Sequence, residues 1–218
     1  MEPISEVFNT DCLAYMKTVP DKFFDIAIVD PPYQLKKSSV TGSGKLKNRT
    51  LNKHDMSWDI APDKEYWDEL FRISKNQIVW GGNYFPLPPC RCFVCWDKQQ
   101  VWENFSQVEL AWTSFDMPAK LFRFDNRSWT KHHPTGKPVE LYTWLLKTFA
   151  NAGDKILDPM FGGGTSRIAA YKCGFDYYGC EINETYFNLA EKHYRSECLG
   201  EVTLKDGRVL KQLSLFDE

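Results

Sequence analysis

Neither sign of charge dominates this chain: 27 basic against 29 acidic side chains leave a net charge of −2. That excludes a globally basic surface of the kind that coats nucleic acid. No apolar run is long enough to span a membrane. The opening Met1-Glu2-Pro3-Ile4 lacks the character of a secretory signal, so a cytoplasmic protein is expected. There is no internal repeat and no low-complexity linker. A single domain over residues 1–210 is expected, large enough for a real core, with 211–218 as a tail. Histidine is scarce: His54, His132, His133 and His193 have no partner at suggestive spacing, and solvent-facing places are expected for them. The seven cysteines are odd in number and mostly lie within apolar runs, which argues for a reduced protein and not a disulfide framework. Cys90-x-Cys92-x-x-Cys95 offers three zinc ligands without a fourth at ordinary spacing. A strand with buried thiols is the better reading, and no metal is expected.

Aromatic residues, by contrast, are plentiful, with eight Trp and ten Tyr. Most serve packing, yet aromatic faces also stack on unpaired bases. Positive charge, though balanced overall, is clustered locally. Lys36, Lys37, Lys45, Lys47, Arg49 and Lys53 fall between Tyr33 and Asp55 with no acid among them. A run of this kind is a solvated loop or a set of phosphate contacts.

The second half alternates clearly. A helix from Pro138 to about Phe149, a strand at 155–157, a helix at 165–173, a strand Tyr177–Cys180 and a helix at 184–195 follow one another. The first half adds a strand near Val7-Phe8, a helix around Leu13–Val19, a strand ending at Asp30, a helix near Pro62–Ser74, and strands Gln77–Trp80 and Phe93–Trp96. Residues 97–133 show no clear period. Such alternation predicts an α/β fold, a mostly parallel central sheet with helices on both faces, whose ligands bind at the carboxyl ends of the strands.

Two strand ends carry the chemistry. The apolar run Phe24–Val29 stops in Asp30-Pro31-Pro32-Tyr33. Two prolines fix φ and remove two backbone donors while their carbonyls still accept. Asp30 and the Pro31 carbonyl therefore form an accepting pocket suited to an exocyclic NH₂. The strand at 155–157 stops in Asp158-Pro159-Met160-Phe161-Gly162-Gly163-Gly164-Thr165, a glycine loop that opens a helix. A dinucleotide-binding loop is the competing reading, but Arg167 stands where that fingerprint needs a small residue. Glu181 ends the next strand, where a carboxylate either meets solvent or takes two ribose hydroxyls. Asp11, read alone, is a helix cap.

Together these segments resemble the catalytic and cofactor loops of amino-group DNA methyltransferases that use S-adenosylmethionine. The catalytic loop comes first, the order of the beta class. His133-Pro134-Thr135-Gly136-Lys137-Pro138 is similar to the segment preceding that family's cofactor strand, with Gly136 where Gln is usual. Asn9-Thr10-Asp11-Cys12 resembles the segment that meets the cofactor's adenine. Ile78–Phe85 and Val94–Lys98 look like those of a small, phage-type branch. The resemblance implies a Rossmann-like methyltransferase fold in permuted order, acting on adenine N6 of double-stranded DNA with the base rotated out, cytosine N4 being the alternative. A regulator that holds cofactor and DNA without turnover is a further alternative. It assigns Asp30, Pro31, Pro32 and Tyr33 to the target base. Asp11, Cys12, Asp30, Thr135, Lys137, Asp158, Phe161, Gly162, Gly164, Thr165 and Glu181 go to the cofactor. DNA recognition falls to 34–56, with its lysines, and 97–132. Finally, Gln212-Leu213-Ser214-Leu215-Phe216 resembles the pentapeptide by which bacterial replication proteins dock on the sliding clamp. The competing reading is a terminal hairpin of Val202–Leu204 and Val209-Leu210; homodimerisation is open.

Overall fold

The computed structural model describes residues 2–34, 60–100, 106–125, 128, 136–204, 206 and 208–211. The basic cluster Lys36–Lys53, Thr135, three of the histidines and the pentapeptide Gln212–Phe216 lie outside the described residues.

Eight strands form one sheet in the order β1 (Ser5–Phe8), β8 (Asp176–Cys180), β7 (Lys155–Asp158), β2 (Phe24–Val29), β3 (Ser74–Trp80), β5 (Val108–Thr113), β4 (Phe93–Asp97) and β6 (Lys120–Arg123). Only β5 runs antiparallel to its neighbours; every other pairing in this sheet is parallel. The strands at β2, β3, β4, β7 and β8 and the mostly parallel sheet are those the sequence predicts. β5 and β6 correct the reading of 97–133 as without period. β5 is exposed along much of its length, and Glu109 and Trp112 interrupt its apolar alternation.

Strand period decides the two faces. Ile26, Ile28, Ile78, Trp80, Ile156 and Tyr177 point to the layer of α3 (Val139–Phe149), α4 (Thr165–Cys173) and α5 (Glu184–Leu199). Ala27, Val29, Val79, Leu157 and Tyr178 point to α1 (Cys12–Met16) and α2 (Lys64–Ile73). α1 is shorter than the helix read from sequence and is capped by Asp11, whose Oδ1 accepts from Ala14 N at 2.8 Å. Arg167 is buried under this architecture. Its guanidinium donates to Ser5 Oγ at 2.8 Å, pairs with Glu191 and lies 3.7 Å from the centre of the Tyr194 ring. It thus ties α4 to β1 and α5, which explains an Arg at a position where a dinucleotide fold packs a small residue.

The small hairpin of β9 (Glu201–Thr203) and β10 (Val209–Lys211) matches the one read from sequence and ends just before Gln212. No described helix is long and apolar enough to cross a membrane. Of the three clustered cysteines only Cys92 is buried. Cys90 and Cys95 are half-buried, a correction to the reading of a strand of buried thiols. Among the described residues no group of three His, Cys, Asp or Glu side chains is placed to hold a metal.

β7 and β2 are neighbours, paired through Ile26 with Ile156 and Ala27 with Leu157. The chain leaves β7 toward β8 on one side and leaves β2 toward β3 on the other. Their carboxyl ends thus flank the switch point at which sheets of this kind bind ligands.

Candidate active site

The loop after β2 begins with a carboxylate whose two oxygens are both engaged. Asp30 Oδ1 accepts from the Tyr33 hydroxyl at 2.6 Å, and Oδ2 pairs with Lys137 Nζ. Lys137, immediately before α3, is only 3% exposed. It also meets Glu109 Oε2 of β5 at 3.3 Å and lies 5.1 Å above the centre of the Trp80 ring. Glu109 in turn pairs with Lys98, just past β4. The result is a row of alternating charge across β4, β5, β3 and β2: Lys98, Glu109, Lys137, Asp30, then the Tyr33 hydroxyl.

Burial opposes the charge on Lys137, but Asp30 and Glu109 outweigh it and hold the ammonium above its ordinary range. Burial likewise pushes Glu109 up, yet Lys137 and Lys98 together bring it below the usual carboxylate range. The Tyr33 phenol is held far above its ordinary value, first by burial and then by the Asp30 carboxylate. It is a donor at any working pH.

Tyr33 is seated by glycine. Gly81, at φ +64°, closes β3, and a Cβ there would lie 2.3 Å from Tyr33 Cε1. Only a residue without a side chain, in a left-handed conformation, fits. Tyr84, from the 3₁₀ turn Gly82–Tyr84, stacks on Tyr33 with ring centres 5.0 Å apart and planes 25° from parallel. It is 51% exposed, so an aromatic face stands at the mouth of the loop.

The loop after β7 holds a second carboxylate set. Asp158 is 2% exposed. Its Oδ2 accepts from Ser166 Oγ at 2.6 Å and its Oδ1 from Met160 N at 3.2 Å. Burial pushes its pKa up to about 7, against these hydrogen bonds. Glu181 at the end of β8 accepts from Gly162 N through Oε2 at 3.1 Å and from Asn183 N through Oε1 at 2.8 Å. Each oxygen keeps a free lone pair for a hydroxyl donor. Burial raises Glu181 as well. Asn9, whose role the sequence left open, donates to the Glu181 carbonyl at 2.7 Å and fastens β1 to this corner.

The glycines differ in purpose. Gly164, at φ +77°, opens α4, and its Cβ would come within 3.0 Å of Ala190, so it admits the close approach of α5. Phe161 is buried, and Gly179 gives it room: a Cβ there would sit 2.9 Å from its ring. Thr165 is buried in the first turn of α4. Cys12 is half-buried, and its thiol is pushed up to about 12, first by burial and then by Asp11. His193, expected at the surface, is half-buried with Nδ1 3.4 Å from the Gly163 carbonyl.

The DNA methylase family model N6_N4_Mtase matches residues 96–192, which hold Glu109, Lys137, the glycine loop and Glu181. Type II methyltransferase M.HinfI of Haemophilus influenzae is 24% identical over 89% of this chain and 70% of its own length. Among solved structures, TTHA0409 of Thermus thermophilus, complexed with S-adenosyl-L-methionine, superposes with a TM-score of 0.58. It is 17% identical, over 90% of this chain and 96% of that one. PvuII DNA methyltransferase, cytosine-N4-specific, gives a TM-score of 0.62 at 13% identity, over 88% of this chain and 87% of its own. The chain is thus similar to amino DNA methyltransferases in the sequence of residues 96–192 and shares their fold, with the loop order of the beta class.

The related TTHA0409 structure holds S-adenosyl-L-methionine, and the corner built by β1, β7 and β8 has donors and acceptors that fit such a ligand. Buried Tyr66 of α2 packs in the same cluster as Cys12 and Met160, and its hydroxyl has no hydrogen-bond partner among the described residues. Asp158 is the carboxylate that acts on it.

Of the residues singled out in the sequence, Asp30, Tyr33 and Lys137 are brought together, and so are Asp158, Phe161, Gly162 and Glu181. Lys137, expected beside the cofactor together with Asp30, bonds Asp30. Glu109, Lys98, Tyr84, Gly81 and Tyr66 were not singled out for roles. A lone carboxylate inside the largely apolar Val108–Thr113 was the one available signal for Glu109.

Gly81→Ala is expected to displace Tyr33 and lower methyl transfer at least about tenfold, since small misplacements of a reacting pair are costly. S-adenosylmethionine affinity should hardly change. Gly153→Ala is the control: it has a comparable positive φ of +88° but nothing within 4 Å. It should cost about 1–2 kcal/mol in denaturant melts without loss of turnover.

Proposed function

We propose that this protein methylates adenine N6 in double-stranded DNA. Asp30 carries the reading. It stands at the end of a central strand, beside the cofactor loop, followed by two prolines that contribute carbonyls and no donors. An aromatic amine has its lone pair drawn into the ring. Accepting both of its hydrogens, at Asp30 and at the Pro31 carbonyl, pulls that lone pair out of conjugation and makes the nitrogen nucleophilic. Tyr33 and Lys137 use one lone pair on each Asp30 oxygen and leave others for the amine.

S-adenosylmethionine supplies an activated methyl group on a sulfonium, so no side chain need become a covalent carrier. What the chain supplies is position and fixed charge. The base is reached by rotating it out of the duplex, where its face meets the Tyr33 and Tyr84 rings. Glu181 takes the ribose hydroxyls, and Asp158 takes the cationic end of the methionine moiety. Cytosine N4 presents the same amine chemistry, and the fold likeness to the PvuII enzyme favours keeping it as the second reading. An Asp at the first position of the loop, where cytosine enzymes of the family favour Ser, supports adenine.

Product analysis decides between them. Incubation with labelled S-adenosylmethionine and mixed-sequence DNA, followed by digestion to nucleosides, should place label in N6-methyldeoxyadenosine. Label in N4-methyldeoxycytidine would give the second reading, and unlabelled DNA would remove both.

The assignment of Asp158 predicts a pH dependence. In the free protein its pKa is raised to about 7, so below that value the acid is protonated. An ammonium group is held by the ionised form, so binding requires loss of that proton. Affinity for S-adenosylmethionine should therefore fall roughly tenfold for each pH unit below 7 and level off above it. Calorimetric titration from pH 5.5 to 8 checks this, and a flat profile would take Asp158 out of the site.

A further inference from the structure

Lys137 lies between two carboxylates, and only one of them belongs to the catalytic loop. The other, Glu109, comes from the antiparallel strand β5 and meets Lys137 at 3.3 Å. We infer that Glu109 is a positioning residue for methyl transfer: it neutralises and anchors Lys137, so that the charge of Asp30 is left for the target amine. The inference rests on the function proposed above and adds to it a residue from outside both sequence motifs.

The argument is one of local charge. During transfer the target nitrogen turns positive. Lys98, Glu109, Lys137 and Asp30 together are neutral. Without Glu109 the same row carries one net positive charge, which opposes the charge that develops on the target nitrogen. Lys98, which pairs with Glu109 on its far side, fixes the Glu109 carboxylate in turn. Without Glu109, two cations, Lys98 and Lys137, would face each other across an apolar gap between Trp96 and Trp80, over whose rings they lie at 5.4 and 5.1 Å. Hydrogen bonding reinforces the row. The Tyr33 hydroxyl fixes the other Asp30 oxygen at 2.6 Å, so the carboxylate has one orientation.

The groups that face this row are few. Asp30 and Tyr33 come from the loop after β2, Lys98 from the end of β4, and the buried phenol of Tyr142 from α3. Asp30 in turn acts on Asp158 of the loop after β7. The phenols are pushed far up by burial and stay neutral. With Glu109 absent, the burial that opposes the Lys137 charge is countered by Asp30 alone. The ammonium should then lose its proton at lower pH than in the wild type.

Glu109→Gln keeps the shape and a hydrogen-bonding oxygen but not the charge. We expect turnover to fall by about tenfold or more at neutral pH, with affinity for S-adenosylmethionine within about threefold of wild type. Turnover should recover toward pH 9–10, as Lys137 loses its uncompensated proton, over a range in which the wild type is flat. Glu109→Asp should restore the flat alkaline profile. Nitrogen-15 NMR titration of the Lys137 ammonium needs no activity at all and should show its midpoint moved down in Glu109→Gln. If that variant does not fold, Lys137→Met and Lys137→Met/Glu109→Gln answer the same question. Their turnover should be equal, because Glu109 acts only through Lys137. Wild-type turnover and alkaline profile in Glu109→Gln would overturn the inference, as would an added loss in the double variant. A wild type that methylates no DNA, with the NMR shift present, would instead overturn the proposed function and leave the charge row standing.

Discussion

A lysine ammonium that is 3% exposed sets the terms for the rest of the site. An isolated buried charge is prohibitive, and it is tolerated only when carboxylates surround it. Lys137 has two, and they come from opposite ends of the chain's logic: Asp30 from a motif loop and Glu109 from a strand without a motif. Satisfying both requires the segment before α3 to cross the carboxyl ends of β2 and β3, with β5 inserted antiparallel beside β3. The same crossing delivers α3 to the sheet face where Leu141, Leu145 and Phe149 are buried. The charge row and the core therefore specify one arrangement.

The cofactor corner obeys a different constraint, that of close approach. Gly164 admits Ala190 of α5, Gly179 admits Phe161, and the Gly162 amide turns to Glu181. Each brings backbone or ring where a side chain would block it, and together they hold Glu181 and Asp158 with lone pairs to spare. Of the glycines in the loop read from sequence as room for a ligand, Gly164 makes room for the protein's own helix α5. The ligand gains from the resulting order, because the donors and acceptors it meets are already in place.

Most of this architecture was legible in the sequence where a local rule operated. Short apolar runs gave β2, β3, β7 and β8. Pro138 and Gly174 bounded helices, and Asp30-Pro31-Pro32-Tyr33 placed the reacting loop. Legibility failed where a residue's meaning is tertiary. β5 is partly exposed and interrupted by Glu109 and Trp112, so it has no clean period, and Glu109 acquires its role only when Lys137 arrives from 28 positions away. Tyr84 had no assigned role in the sequence, yet it stacks on the Tyr33 ring.

The central claim is a division of labour between two carboxylates at strand ends on either side of β7: Asp30, after β2, acts on the target amine and Glu181, after β8, holds the cofactor. Calorimetry with S-adenosylmethionine and single-turnover methyl transfer, run side by side on Asp30→Ala and Glu181→Ala, test it most directly. The account predicts that Asp30→Ala binds cofactor within a few-fold of wild type and transfers nothing. Glu181→Ala should lose binding by at least about tenfold, the scale of a lost hydrogen bond to a charged group, and recover transfer at saturating cofactor. Substantial transfer by Asp30→Ala, or unchanged binding by Glu181→Ala, would contradict it.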